Sequence, residues 1–100
     1  MAVALRFNDQ DKPGLVLYPN EPNPFRESTT IRFFLPAAGE AELIFYGSAG
    51  QVLKRIRDTF ANGENSVYLN RAALPGTGLI FYELRTATGE RAMSRMVVQE

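Results

Sequence analysis

The sequence contains no histidine, no cysteine and no tryptophan. Without histidine and cysteine, the chain lacks an imidazole base, a thiol nucleophile, a disulfide framework and the usual ligands of zinc. Paired carboxylates are the remaining catalytic option. The best pair, Glu40 and Glu42, is expected on the solvent face of a strand, where acidic side chains ordinarily keep a sheet soluble. We therefore predict a protein that is not an enzyme and that uses no cofactor and no metal.

The chain also lacks an excess of charge and a long hydrophobic run. Its 11 basic residues balance its 11 acidic residues, so no net field draws it to nucleic acid. No apolar run approaches the roughly 20 residues that cross a bilayer. Residues 1–6 also lack a basic start that leads into a sustained apolar segment, as a signal peptide would have. We predict no nucleic-acid partner and no transmembrane segment.

Alternating apolar and polar residues are what the chain has in abundance. Residues 1–12 are mixed and polar, and we interpret them as the remnant of a linker from an upstream domain. Residues 13–100 form one domain of short period-two segments bounded by Pro, Gly and Asn. Seven strands are expected, at about 15–18, 30–35, 41–46, 51–60, 67–69, 79–85 and 93–98. This pattern predicts an all-β fold, an immunoglobulin-like antiparallel β-sandwich of about seven strands.

One segment, residues 51–60, is ambiguous between a helix and a strand. Val52, Ile56 and Phe60 follow the i, i+4 spacing of a helix face. No capping residue begins such a helix, however, and turn signals flank the segment on both sides. We therefore predict a strand here. In the preceding strand, Ile44 is expected on the outer face beside the two glutamates.

Two surface functions suggest themselves from residue types alone. Basic residues cluster in the last hairpin, but acids are interleaved through the chain, so a solvated sheet face is the better interpretation. A carbohydrate-binding face requires exposed planar aromatic rings, which Phe34, Tyr46, Tyr68 and Tyr82 would have to supply. An adhesion or carbohydrate-binding accessory module of an extracellular enzyme is therefore the alternative function.

The spacing of several longer motifs makes the chain recognisable. The motifs are LYPNEPNPF at 17–25, STTIRF at 28–33, AELIFY at 41–46, AGQVL at 49–53, NGENSV at 62–67, GLIFYEL at 78–84 and SRMVV at 94–98. In this order they resemble the C-terminal sorting domain (type A) of the type IX secretion system of Bacteroidota. The resemblance covers about residues 15–100. The family commonly has Lys where Arg95 stands, a difference that keeps the charge.

The resemblance implies a non-catalytic secretion signal. In such proteins the domain is covalently joined to an N-terminal cargo domain, and an outer-membrane translocon recognises it. A shuttle protein then carries it to a cell-surface sortase, which acts on the linker upstream of the domain. The implied location is the cell surface or the medium, reached through the periplasm and the outer membrane.

The last strand and the Pro-rich loop hold the candidate recognition residues. The final hairpin is expected to offer an edge with unpaired backbone groups that a partner's sheet can extend. The expected recognition residues are Gly78, Tyr82, Arg95, Met96, Val97 and Val98, and the structural signature of the family is Pro22, Asn23, Pro24, Phe25 and Gly50. Within the last strand, Met93, Arg95 and Val97 are expected on one face and the residues between them on the other. Phe25 is expected to close the end of the core.

Overall fold

A computed structural model describes residues 14–100, and the predicted linker at residues 1–12 and the first residue of the predicted domain lie outside this range. The strands are β1 (Val16–Leu17), β2 (Ser28–Leu35), β3 (Gly39–Tyr46), β4 (Val52–Phe60), β5 (Gly63–Asn70), β6 (Gly78–Thr86) and β7 (Arg91–Val98). Between β5 and β6 lies one 3-10 turn, Arg71–Ala73. No helix within residues 14–100 is long and apolar enough to cross a membrane.

The strands form two antiparallel sheets that pack face to face. One sheet has the order β1-β2-β5 and the other the order β4-β3-β6-β7, so β7 is an edge strand. The predicted alternation holds in β2, where Ile31, Phe33 and Leu35 are buried and Arg32 is exposed. Burying one face of each sheet against the other is what period-two sequences achieve. The predicted immunoglobulin-like sandwich of seven strands is thereby confirmed.

The ambiguous segment forms a strand from Val52 to Phe60. β4 pairs with β3 from Phe60, opposite Gly39, to Val52, opposite Tyr46. The Phe60 ring contacts the Phe33 ring of the other sheet edge-on, with 5.1 Å between the ring centroids. Of the three residues at helical spacing, Ile56 and Phe60 pack against the core whereas Val52 is exposed, so the spacing does not mark one buried face.

The outer face of the larger sheet differs from expectation in one respect. Ile44 was expected among solvated side chains, but it is fully buried, and its cross-strand neighbour Glu83 is buried as well. Long side chains lie across this face. Arg55 bonds to Glu42 at 3.2 Å, and the Tyr46 hydroxyl donates to Glu83 at 2.9 Å. Because arginine and tyrosine carry extended apolar portions, they can cover a central strand while their polar ends stay near water.

Candidate recognition surface

Two parts of the chain that contribute to the family resemblance contact each other. Pro22, Asn23, Pro24 and Phe25, here called the PNPF segment, run parallel to the end of β7. The Phe25 amide donates to the Val97 carbonyl at 3.1 Å, and the Phe25 carbonyl accepts from the Gln99 amide at 2.8 Å. The Phe25 ring is buried, as expected. The segment is therefore fastened to the terminal strand by both its backbone and its side chain.

Asn23 extends this contact along the edge of β7. Its Oδ1 accepts from the Val97 amide at 2.9 Å, and its Nδ2 donates to the Arg95 carbonyl at 3.5 Å. The side chain thus occupies backbone groups that a neighbouring strand would otherwise bind. The flanking Pro22 and Pro24 follow cis peptide bonds and are exposed. An asparagine between two prolines is therefore used here as a side-chain partner for the last strand.

A buried polar network holds the start of the PNPF segment in place. Asn20 Nδ2 donates to Thr29 Oγ1 at 3.0 Å and to the Pro22 carbonyl at 3.2 Å. Thr29 Oγ1 donates to the same carbonyl at 2.9 Å. Buried polar groups without such partners would be costly, so the network stabilises one path for this loop.

Tyr82 joins this loop to the larger sheet. Its hydroxyl accepts from the Asn20 amide at 3.2 Å and donates to the Tyr18 carbonyl at 3.3 Å. The ring is fully buried, and this burial raises the pKa of the Tyr82 hydroxyl above its ordinary value. Tyr82 was predicted to be a recognition residue. The structure places it inside the domain, where its contacts fasten the loop and its side chain is not presented to a partner.

The four recognition residues of β7 separate into two sets, as the alternation requires. Arg95 and Val97 are exposed, whereas Met96 and Val98 are buried in the core. A partner of the folded domain can therefore contact only the first two side chains directly. Met96 and Val98 can contribute only by holding the strand in register.

The two predicted glycines both occupy positions with positive φ. Gly78 begins β6 opposite Val98 with φ of 104°, and Gly50 lies in the β3–β4 turn with φ of 90°. The Gly50 amide closes that turn by donating to the Gly47 carbonyl at 2.9 Å. A side chain is disfavoured at such angles, so both glycines are explained by backbone shape.

The expectation that the final hairpin offers an unpaired edge needs correction for one half of β7. Within residues 14–100, the outward groups of Val97 are both bonded, one to Asn23 and one to Phe25. The PNPF segment therefore covers the C-terminal half of the edge. Sequence patterns located the edge strand but could not show what lies beside it, because that contact joins residues more than 70 positions apart.

Next to the other half of β7 lies an open groove of about 630 Å³ on the outer face of the larger sheet. Its lining includes Tyr46, Phe81, Glu83, Arg85, Arg91 and Met93. The buried Glu83 carboxylate accepts a hydrogen bond from Arg85 at 3.1 Å and forms an ion pair with Arg91 at 3.6 Å. It also accepts from Tyr46, and this hydrogen bond raises the pKa of the Tyr46 hydroxyl. Sequence reasoning missed this cluster, although a glutamate inside an apolar strand segment was its visible signal.

Residues 14–100 contain few groups that are arranged to bind a metal ion or a sugar. Within residues 14–100, no three acidic side chains converge on a point that could hold a metal ion. Of the aromatic side chains in that range, Tyr68 alone is largely exposed, at 66%. Sugar-binding faces ordinarily present several rings. The site with the most specific architecture is therefore the junction of the PNPF segment with β7, together with the adjoining groove.

Comparison with known proteins yields the fold and no family. No family model and no curated protein matches the chain. Among solved structures it is similar to a β-glucosidase from Listeria innocua in complex with isofagomine, with a TM-score of 0.51 and 14% identity. That match covers 84% of this chain and 16% of the enzyme. The same enzyme in complex with glucose matches with a TM-score of 0.46, 9% identity, and coverage of 86% and 16% of the two chains.

Proposed function

We propose that this chain is a non-catalytic C-terminal sorting domain, which directs a covalently linked cargo through the type IX secretion translocon to the cell surface or the medium. The observation that carries the proposal is the contact between the PNPF segment and β7. Two motifs of the resemblance, at 17–25 and 94–98, lie far apart in sequence but contact each other in the structure. A recognition surface that includes both motifs requires such a contact.

The same contact suggests how the signal would be recognised. Arg95 and Val97 display their side chains beside the PNPF segment, and the rest of the β7 edge continues from them. A partner protein can therefore contact two parts of the chain that are remote in sequence on one surface. An unfolded copy presents no such surface, so recognition would select cargo whose last domain has folded.

A delivery assay tests the proposal. The full chain is joined to the C-terminus of a reporter carrying a signal peptide, in a Bacteroidota bacterium with an active type IX system. We expect the reporter at the surface or in the medium, and in the periplasm of a strain without the translocon. Retention in the periplasm of the competent strain would overturn the proposal, as would equal delivery in both strains.

A charge reversal on each edge of the larger sheet refines the assay. Arg95→Glu changes an exposed residue of β7, and Arg57→Glu changes an exposed residue of β4, at the opposite edge. We expect Arg95→Glu to reduce delivery and Arg57→Glu to leave it unchanged. These variants are preferable to deleting residues 92–100, because that deletion would remove Met96 and Val98 from the core.

One observation favours the alternative of an accessory module in an extracellular enzyme. The fold is similar to a part, 16%, of a β-glucosidase, so a domain of this shape occurs within a longer enzyme. At 14% identity the likeness concerns the fold alone. Specific binding on a glycan array that is lost in Tyr68→Ala, the variant of the largely exposed ring, would support this alternative.

A further inference from the structure

Among the described residues 14–100, no segment covers the first half of the β7 edge. The amide and carbonyl of Val97 point away from β6, towards Asn23 and Phe25, and every second residue of the strand points its backbone groups in the same direction. The amides and carbonyls of Arg91, Met93 and Arg95 therefore also point away from β6. Within residues 14–100, no backbone hydrogen bond from another segment reaches Arg91, Met93 or the Arg95 amide. The open edge therefore runs over 91–95, between the hairpin tip and Asn23.

The side chains along this open edge share one face and one sign of charge. Arg91, Met93 and Arg95 project from the outer face of the sheet, and Met93 is 62% exposed. Arg85 lies beside them in the groove, and Glu83 is the only carboxylate among the lining residues in the described part of the chain. Glu83 is already paired with two of the three arginines. An excess of positive charge thus surrounds an exposed methionine.

We infer that this edge binds an extended segment of a partner protein that carries acidic, apolar and acidic residues at alternate positions. Such a segment would pair with 91–95 as a fifth strand of the larger sheet. Its two carboxylates would lie opposite Arg91 and Arg95, and its apolar side chain would contact Met93, because cross-strand neighbours share a face. Main-chain hydrogen bonds would supply affinity, and the alternate side chains would supply selectivity.

The length of the bound segment follows from the boundaries of the open edge. Asn23 and Phe25 occupy the outward groups from the Arg95 carbonyl onward, and the turn at Gly89 ends the strand on the other side. About five residues of a partner can therefore pair, a span of roughly 16 Å at the rise of a β-strand. The inference rests on the proposed function only for the place of this partner in secretion, since strand binding itself can be measured with a peptide.

An NMR titration of the full chain tests the inference. The probe is the blocked heptapeptide Ser-Glu-Thr-Val-Thr-Glu-Ser, and the control peptide has Lys in place of both Glu. We expect shifts to concentrate on the amides of Arg91, Met93 and Arg95, with the acidic peptide binding about tenfold more tightly than the basic one. Because the chain has no net charge, general attraction does not favour either peptide.

A proline substitution separates edge binding from other contacts. Met93→Pro removes an amide that points away from β6, so the ladder between β6 and β7 keeps its hydrogen bonds. The matched control, Met93→Ala, keeps the amide and removes the side chain. We expect Met93→Pro to lose binding and Met93→Ala to weaken it only about threefold or less. If Met93→Pro fails to fold, Arg91→Glu with Arg95→Glu serves instead, and should reverse the preference between the two peptides.

Three results would overturn the inference. They are no shifts at about 2 mM acidic peptide, equal binding by Met93→Pro and the native chain, or shifts that map to β4 or β5. Failure of the proposed function would be seen separately. A chain that binds the acidic peptide but does not deliver the reporter would contradict the secretion role while the edge assignment stands.

Discussion

Truncation of Phe25 to alanine tests whether the PNPF segment is part of the cooperative core. The Phe25 ring is 1% exposed, and its removal leaves a cavity where the segment meets β7. Loss of a buried phenylalanine costs about 3–5 kcal/mol. Both backbone hydrogen bonds of residue 25 persist in the variant, and the site lies at an end of the core, where the surrounding side chains can collapse more easily. We therefore expect the free energy of unfolding to fall by about 3 kcal/mol, the lower end of this range.

Urea unfolding followed by far-UV circular dichroism measures the change in the free energy of unfolding. In a thermal unfolding experiment, a loss of about 3 kcal/mol should lower the melting temperature of a domain of this size by about 12 °C or more. Phe34→Ala is the control, because Phe34 is only half-buried on the outer face of β2; we expect a loss of about 1 kcal/mol. The slope of free energy against urea should stay unchanged. A loss for Phe25→Ala no larger than for Phe34→Ala would refute the reasoning.

Three further predictions concern a buried tyrosine, a turn and the open edge. The pKa of Tyr82 is raised in the folded state, so its contribution to stability is complete below the unfolded value near 10.0 and is lost as the pH rises through the folded pKa. The stability advantage of the native chain over Tyr82→Phe, measured in urea titrations, should therefore shrink as the pH rises above 10.0 and should be constant below it. Gly50→Ala places a side chain at φ of 90° and should cost about 1–2 kcal/mol in the same assay, and an unchanged midpoint would contradict this. Replacing Arg91 and Arg95 together by Thr should cause concentration-dependent self-association in light scattering, which the native chain should not show.

The strands could be predicted from the sequence because each is encoded locally. In β2, apolar and polar residues alternate, and the larger sheet turns at glycines, so the period of two and the turn residues identify strands without knowledge of their neighbours. Even β4, with its helical spacing, was distinguishable by its flanking turns. The prediction that Ile44 is solvated was wrong. Both faces of a central strand can be buried, and the sequence of one strand does not reveal which side chains cover its outer face.

The site was predictable in its parts but not in its arrangement. The PNPF motif and the last strand stood out as motifs, yet their contact depends on the path of the chain between them. The burial of Tyr82 shows the same limit, since its hydroxyl bonds to backbone groups 62 and 64 residues away. Residue type indicates what a side chain can bind, whereas only the topology decides which partner comes within reach.

The arrangement of β7 would oppose self-pairing and still admit the partner strand proposed above. A bare edge strand tends to pair with other copies of itself, and this domain limits that in two ways. Asn23 and Phe25 occupy one half of the edge, and arginines flank the other. If two copies paired antiparallel about Met93, Arg91 of each would lie opposite Arg95 of the other, so like charges would oppose association. A partner strand with carboxylates at those positions meets attraction instead. The same two arginines that disfavour self-pairing would therefore select the complementary strand.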